Sequence, residues 1–311
     1  MSKLIELITT ETGLTREDVL RLIHTAPKRY KIFHIPKRSG GEREIAQPAR
    51  EVKLIQRVLL DKILASLPVH DAAVAYRKGR SVATNASHHA GHGPILKMDF
   101  KDFFPSIRSE DWLLYCRNAD LFGEVDAHLS ALILFRRAKR EQVLKLSIGA
   151  PSSPVLSNIL LLPFDTMVAL EAVRRGIKYT RYADDLTFSG QRIGMLKDMV
   201  DVVEHTVRHM PRPKLSVNSN KTVFVTAKHR RVVTGITLAN NGSLSLGRQR
   251  KRLLSAAVHR AINGRLSPAE LLRLSGDLAF ANVAEPDFIV WLQKKYGIEG
   301  VQMIKHAPRL S

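Results

Sequence analysis

The stretch KYTRYADDLTFSG, residues 178–190, sets two carboxylates, Asp184 and Asp185, side by side between two strand-forming runs. That pattern predicts a β-hairpin with Ala-Asp-Asp at its turn. Adjacent anions repel and lose hydration when enclosed, so they need a compensating cation from the protein or from a metal. An isolated Asp-Asp is most often an ordinary exposed turn, because Asp is favoured there. The surroundings of this one argue otherwise. A further acid, Asp99, sits in the apolar run GPILKMDFKDFFPSI (93–107), read as a strand. Two neighbouring central strands would bring Asp99 to Asp184 and Asp185. Three carboxylates with no His or Cys beside them form a hard oxygen donor set, suited to magnesium or manganese. Two such ions, about 3.5–4 Å apart, would support an in-line phosphoryl displacement.

The charge balance points to the substrate class. Lys plus Arg number 49 against 29 Asp plus Glu, a formal net charge of +20 over 311 residues. A chain this basic meets a polyanion, nucleic acid ahead of an anionic membrane surface. No apolar run reaches the roughly 18–20 residues of a membrane helix, and the N-terminus MSKLIELITTETG carries no signal-peptide pattern. Cys116 is the only cysteine, which excludes an intrachain disulfide and a Cys-based zinc site and fits a reducing cytoplasm.

Hydrophobic periodicity orders the rest. Residues 1–30 read as two short helices, the second capped by Thr15. RYKIFHIPKRSGGEREIAQP (29–48) reads as a hairpin of strands Tyr30–Ile35 and Arg43–Gln47 around a basic, glycine-rich turn. REVKLIQRVLLDKILASL (50–67) is an amphipathic helix. AYRKGRSVATNASHHAGH (75–92) opens as a basic turn and continues as a short helix. Helical patterns follow Asp99 to about residue 141, including the basic patch FRRAKR (135–140). A Gly/Pro/Ser loop then feeds a long apolar helix within 146–175. Residues 214–226 and 230–238 read as strands, and GRQRKRLLSAAVHRAI (247–262) as a helix. On that helix Arg248, Arg252 and His259 share one face, and Leu253, Leu254, Ala257 and Ala261 the other. This mixture predicts an α+β fold, a sheet backed by helices with a helical C-terminal unit.

Tyr-Ala-Asp-Asp between strands, with an upstream Asp followed by FKDFFPSI, resembles the reverse transcriptases in sequence and in order. NASHH (85–89) and VTG (233–235) resemble the two signatures of the bacterial retron enzymes, over a similarity reaching from about residue 25 to 295. The resemblance implies an RNA-directed DNA polymerase with a right-hand fold. Its parts would be N-terminal helices and fingers over 1–96, an antiparallel palm over 97–240 with finger helices inserted around 108–145, and a helical thumb over 241–311. It implies two magnesium ions, with manganese as a substitute, on Asp99, Asp184 and Asp185. It gives Lys221 in NSNKT the protonation of the leaving pyrophosphate, and Arg43 the nucleotide's triphosphate. Phe104 would lie under the incoming sugar and exclude a 2′-OH. GAPSSP (149–154) matches the loop beneath template and nucleotide, with Gly149, Ser153 and Pro154 in place, but Ser147-Ile148 replaces the usual Pro-Gln.

The same resemblance assigns RNA or template contact to Asn85, His89, Val233, Thr234 and Gly235, and to Arg248 and Arg252 on the basic thumb helix. It implies a cognate structured noncoding RNA as partner, deoxynucleoside triphosphates as substrates, and priming from a guanosine 2′-OH that leaves a branched RNA–DNA product. An effector protein in phage defence or a toxin–antitoxin system, and a bacterial cytoplasmic location, are also implied. No ribonuclease H, maturase or endonuclease unit is expected. Two other readings stay open: a reverse transcriptase of another bacterial lineage using an external primer, and an RNA-binding scaffold or antitoxin for an effector.

Overall fold

The computed structural model describes residues 2–37, 40–138 and 142–305. Arg38 and Ser39 of the first basic turn, and Lys139 and Arg140 of the FRRAKR patch, lie outside the described residues. The N-terminal helices are α1 (Lys3–Thr12) and α2 (Arg16–Thr25), capped by Ser2 and Thr15, whose hydroxyls accept from the Ile5 and Asp18 amides. Strands β1 (Tyr30–Pro36) and β2 (Glu42–Pro48) form an antiparallel ribbon, largely exposed. Helix α3 (Arg50–Lys62) buries Val52, Ile55, Val58 and Leu59, the stripe its 3.6-residue period predicts. A capping box of Ser81 and Thr84 starts α4 (Val82–Ser87).

Strand β3 is shorter than expected. It covers Ile95–Asp99, after which the chain turns through Asp102 (φ 42°) into α5 (Phe103–Ser106). Pro105 has no amide hydrogen for a ladder, so the apolar run cannot continue as a strand. Helices α6 (Ser109–Asn118) and α7 (Glu124–Leu134) follow, then the short pair β4 (Arg136–Arg137) and β5 (Leu144–Lys145). Arg136 of the expected basic patch is buried and ion-paired with Glu44, so it braces the β1–β2 ribbon from inside. The expected long helix is two, α8 (Ser153–Leu160) and α9 (Leu162–Arg174), bent by 55°. Pro163 in the first turn of α9 cannot extend the preceding helix. Among the described residues no single helix is long and apolar enough to cross a membrane, and the bent pair is packed into the core through Leu156, Ile159, Phe164 and Val168.

Strands β6 (Lys178–Tyr182) and β7 (Asp185–Ser189) form the expected hairpin, and α10 (Ile193–His209) follows. Residues 214–226 form only β8 (Val223–Val225), because Ser219–Lys221 makes a 3-10 turn. Short strands β9 (Val232–Val233), β10 (Ile236–Leu238) and β11 (Leu244–Ser245) make a separate sheet. Helices α11 (Arg248–Ile262), α12 (Pro268–Ala284), α13 (Pro286–Tyr296) and α14 (Ile298–Lys305) close the chain. On α11 the inward residues are Leu254 and Val258. Leu253, expected on the apolar face, is 64% exposed.

The central sheet has the order β6-β7-β3-β8, antiparallel throughout. Its middle strands are buried along nearly their whole length, and α9 and α10 pack on it. One hydrophobic core joins the N-terminal helices, α6–α10 and this sheet. A second is built from β9–β11 and α11–α14, with Ala86 of α4 and Ile95 of β3 inserted into it.

Candidate active site

Antiparallel pairing of β3 with β7 sets Asp99 directly opposite Asp185. Asp184 sits in the turn between β6 and β7, and its carbonyl accepts the Phe100 amide at 3.2 Å. The three expected acids therefore converge at one end of the two central strands. Burial pushes the Asp184 carboxyl above its ordinary range, with Asp99 adding to the effect. Burial, reinforced by Asp184, pushes Asp185 up to about 6. Lys221 answers part of this charge. Its ammonium donates to both Asp99 oxygens, at 3.0 and 2.9 Å, and the carboxylate holds it in the charged form.

Lys97 and Arg43 lie near enough to act on Asp185 and Asp184, but among the described residues only Lys221 touches one of the three carboxylates, so Asp184 and Asp185 have no cation in contact. That deficit and the oxygen-only donor set fit a divalent hard cation. Among the described residues no three His, Cys, Asp or Glu side chains close into a ready-made metal cage. Magnesium does not require one, since it is held by one or two carboxylates together with substrate phosphates and water.

The turn itself is anchored from behind. Ala183 adopts φ 60°, unusual for a residue with a side chain. Its carbonyl accepts from Arg181 Nη1 at 3.1 Å. Arg181 and Asp165 form an ion pair, both 0% exposed, through Nη2 and Oδ2 at 2.6 Å and Nε and Oδ1 at 2.9 Å. Tyr179 donates to the same Asp165, and Asn158 accepts from Arg181 while donating to the Ala75 carbonyl. Sequence reasoning missed this network. An arginine inside the strand-forming run before the Asp-Asp turn was the available signal, since a guanidinium that becomes buried requires a carboxylate partner.

Two cavities meet at the carboxylates. The larger, about 1150 Å³, is lined by Arg43, Tyr76, Phe104, Ser147, Ile148, Asp184, Asp99 and Lys221 among others. The smaller, about 440 Å³, shares Asp99 and Lys221 and adds Lys97, Arg230 and Asp185 over a floor of Val223 and Val225. Gly149 lies beside the larger one at φ 118°. A Cβ there would stand 3.1 Å from the Ala46 carbonyl of β2, so only glycine suits the position without strain. Pro154 is half-buried on the first turn of α8, whereas the Ser153 side chain is interior.

The two short signatures meet each other. The Thr234 hydroxyl donates to the Val82 carbonyl at 2.9 Å, joining the VTG turn to the helix that carries Asn85. His89 is wholly buried, with Nδ1 bonded to Ser189 Oγ at 2.7 Å and Nε2 to Thr180 Oγ1 at 2.8 Å. Asn85 and Val233 are buried too. The side chains of Asn85, His89, Ser153 and Val233, residues expected at the RNA or template, lie in the interior, and none reaches the surface. Thr234 and Gly235 remain accessible in the turn, and Arg248 and Arg252 are exposed on α11.

Comparison with known proteins agrees with this geometry. The reverse transcriptase (RNA-dependent DNA polymerase) family matches residues 35–238. A telomerase from Candida albicans, in complex with a TWJ fragment of telomeric RNA, shares the fold with a TM-score of 0.50 at 12% identity, covering 93% of this chain and 59% of that one. The architecture is the polymerase right hand, and the chain is an RNA-directed DNA polymerase of the reverse transcriptase class. Within that class three curated relatives narrow the family. The Retron Ec83 reverse transcriptase of Escherichia coli is 39% identical over 281 residues, 89% of each chain. The Retron Ec86 reverse transcriptase of the same species is 31% identical over 92% of this chain and 88% of its own. The Retron Mx65 reverse transcriptase of Myxococcus xanthus is 33% identical over 84% of this chain and 62% of its own. The chain belongs to the retron reverse transcriptases.

Proposed function

We propose that this chain copies part of a cognate structured noncoding RNA into single-stranded DNA, starting from a guanosine 2′-OH of that RNA and leaving a branched product. The observation that carries the reading is the convergence of Asp99, Asp184, Asp185 and Lys221 where two cavities meet. The larger cavity takes the deoxynucleoside triphosphate. There Arg43 meets the phosphates, and Phe104 lies under the sugar, where its ring leaves no space for a 2′-OH. Gly149 lets the backbone approach the bound nucleotide. The smaller cavity, with Lys97 and Arg230, takes the priming end.

Asp99, Asp184 and Asp185 would hold two magnesium ions, replaceable by manganese, which when bound stabilise the attacking and leaving oxygens of the displacement. Lys221, drawn off Asp99 as nucleotide enters, gives its proton to the departing pyrophosphate. Pro154, Thr234, Gly235, Arg248 and Arg252 contact the RNA and its hybrid, read by A-form shape and 2′-OH groups. Residues 1–96, 97–240 and 241–311 serve as fingers, palm and thumb in this reading. A partner effector protein and a role in antiviral or toxin–antitoxin defence complete it.

Expression with the neighbouring noncoding locus, followed by a debranching enzyme, tests the reading. A short DNA that shifts only after debranching is expected. Asp184→Asn is expected to abolish that DNA while leaving RNA binding intact. Full synthesis in Asp184→Asn would overturn the carboxylate assignment, and an unbranched product would move priming to an external primer.

A further inference from the structure

Five non-glycine residues among those described have left-handed φ: Tyr76, Asp102, Asp120, Ala183 and Thr234. Asp tolerates that region because its short side chain bonds locally. Tyr does not, and at φ 63° Tyr76 is an outlier for a bulky side chain. The segment leading to it is clamped. Val74 donates to the Arg181 carbonyl at 2.9 Å, Arg181 to the Ala72 carbonyl at 2.7 Å, and Asn158 to the Ala75 carbonyl at 2.8 Å. Ala72 to Ala75 are all buried. On the far side, Arg77 reaches the His70 and Ala73 carbonyls, and Arg77 and Arg80 both hold Asp71. The strained residue is thus fixed to the strand that carries the Tyr-Ala-Asp-Asp turn.

The strain does nothing for the core. Tyr76 is 43% exposed, and its hydroxyl has no hydrogen-bond partner among the described residues. The side chain lines the larger cavity beside Asp184, Arg43 and Phe104. The Asp184 charge adds to burial in raising its hydroxyl's pKa, which accords with that nearness. Backbone strain held by its surroundings at the rim of an active site is a mark of function. An aromatic face open to such a cleft offers base stacking, which is indifferent to sequence.

We propose that the Tyr76 ring is a stacking platform on which the templating base rests while it pairs with the incoming nucleotide. The inference rests on the reading of the larger cavity as the nucleotide site. The nucleotide's phosphates and sugar are there assigned to Arg43 and Phe104, which leaves the templating base for Tyr76.

The test places 2-aminopurine at the first unpaired template position of an RNA–DNA template–primer and reads its fluorescence on binding to the full chain. Asp184→Asn protein is used throughout, so the signal is independent of synthesis. Quenching is expected with Tyr76 present and with Tyr76→Phe, and is expected to be lost in Tyr76→Ala and Tyr76→Gly. A 2-aminopurine farther along the unpaired template should report no difference between them. In otherwise wild-type protein, Tyr76→Ala and Tyr76→Gly should lower nucleotide incorporation by roughly 5- to 150-fold, the range of one lost stacking contact. Tyr76→Gly should unfold at a higher temperature than Tyr76→Ala, because glycine relieves the left-handed backbone.

Undiminished quenching in Tyr76→Gly, or its loss in Tyr76→Phe, would overturn the proposal. So would an Ala variant more stable than the Gly variant. Retained DNA synthesis in Asp184→Asn with normal quenching would instead sink the carboxylate assignment and leave the platform standing.

Discussion

Both ring nitrogens of His89 are engaged by hydroxyls of the two hairpin strands, Thr180 on β6 and Ser189 on β7. Burial pushes its pKa down to about 3, against 6.5 in the unfolded chain. The unfolded state therefore binds the extra proton first, and stability is lost as pH falls through the window from about 6.5 to 3. At pH 5 the loss amounts to about 2 kcal/mol, from roughly 1.4 kcal/mol per pH unit below 6.5. Urea denaturation at pH 7.5 and pH 5 measures it. His89→Gln should shrink the difference between the two pH values by that amount, and an equal difference in both proteins would show that His89 does not carry it. A signature histidine was read from sequence as an RNA contact because burial is invisible there. What the sequence did contain was a polar residue beside a short helix, compatible with either role.

The β6–β7 hairpin is more than a loop that carries two acids. Arg181, Asp165, Tyr179 and Asn158 tie its turn to α8, α9 and the chain before Tyr76. Removing one partner of a buried pair strands the other charge, so Arg181→Met or Asp165→Leu alone should cost about 3–5 kcal/mol. The double variant Arg181→Met/Asp165→Leu should recover part of that loss, since apolar replacement of both partners is often neutral, while the Tyr179 hydroxyl and Asn158 oxygen are left unpaired. It nevertheless lacks the donor to the Ala183 carbonyl. The double variant is therefore expected to unfold at a higher temperature than either single variant yet to lose at least tenfold in kcat, about 1.4 kcal/mol, with RNA affinity unchanged. Thermal melts beside single-nucleotide incorporation rates check it. Wild-type kcat in the stable double variant would show that the turn holds its shape without this network.

Across the whole molecule the net charge of +20 implies binding that weakens steeply with salt. The structure sorts the basic residues that composition counts alike. Arg136 is internal, and Arg250 is half-buried, paired with Asp277 and stacked 4.1 Å over Phe280. Arg248 and Arg252 on the same helix are exposed. Arg248→Ala and Arg252→Ala should each reduce the slope of log affinity against log salt by about 0.7–0.9, one phosphate contact apiece. Arg250→Ala should lower thumb stability and leave the slope unchanged. Filter binding of the cognate RNA across a salt series separates the two classes, and an equal slope change in all three variants would mean that exposure does not identify the phosphate contacts.

Much of the site was legible because its chemistry is local. Tyr-Ala-Asp-Asp between strand-forming runs specified the hairpin, and the apolar run around Asp99 specified its partner strand, though not where that strand ends. Lys221 and Gly149 are picked out by the resemblance of NSNKT and GAPSSP to a known family, not by their own chemistry. Interruptions set by prolines and turn residues were legible in principle and were read too smoothly, at Pro105, Pro163 and Ser219–Lys221. Only the tertiary structure decided which side chains face inward. The meeting of α4 with the VTG turn, the Arg181–Asp165 pair and the strained Tyr76 each depend on contacts between segments far apart in the chain. Hydrophobic period says which face of an element is buried, but not which distant polar group is waiting there. Desolvation sets that choice, because a buried polar group must find its partner wherever the fold supplies one.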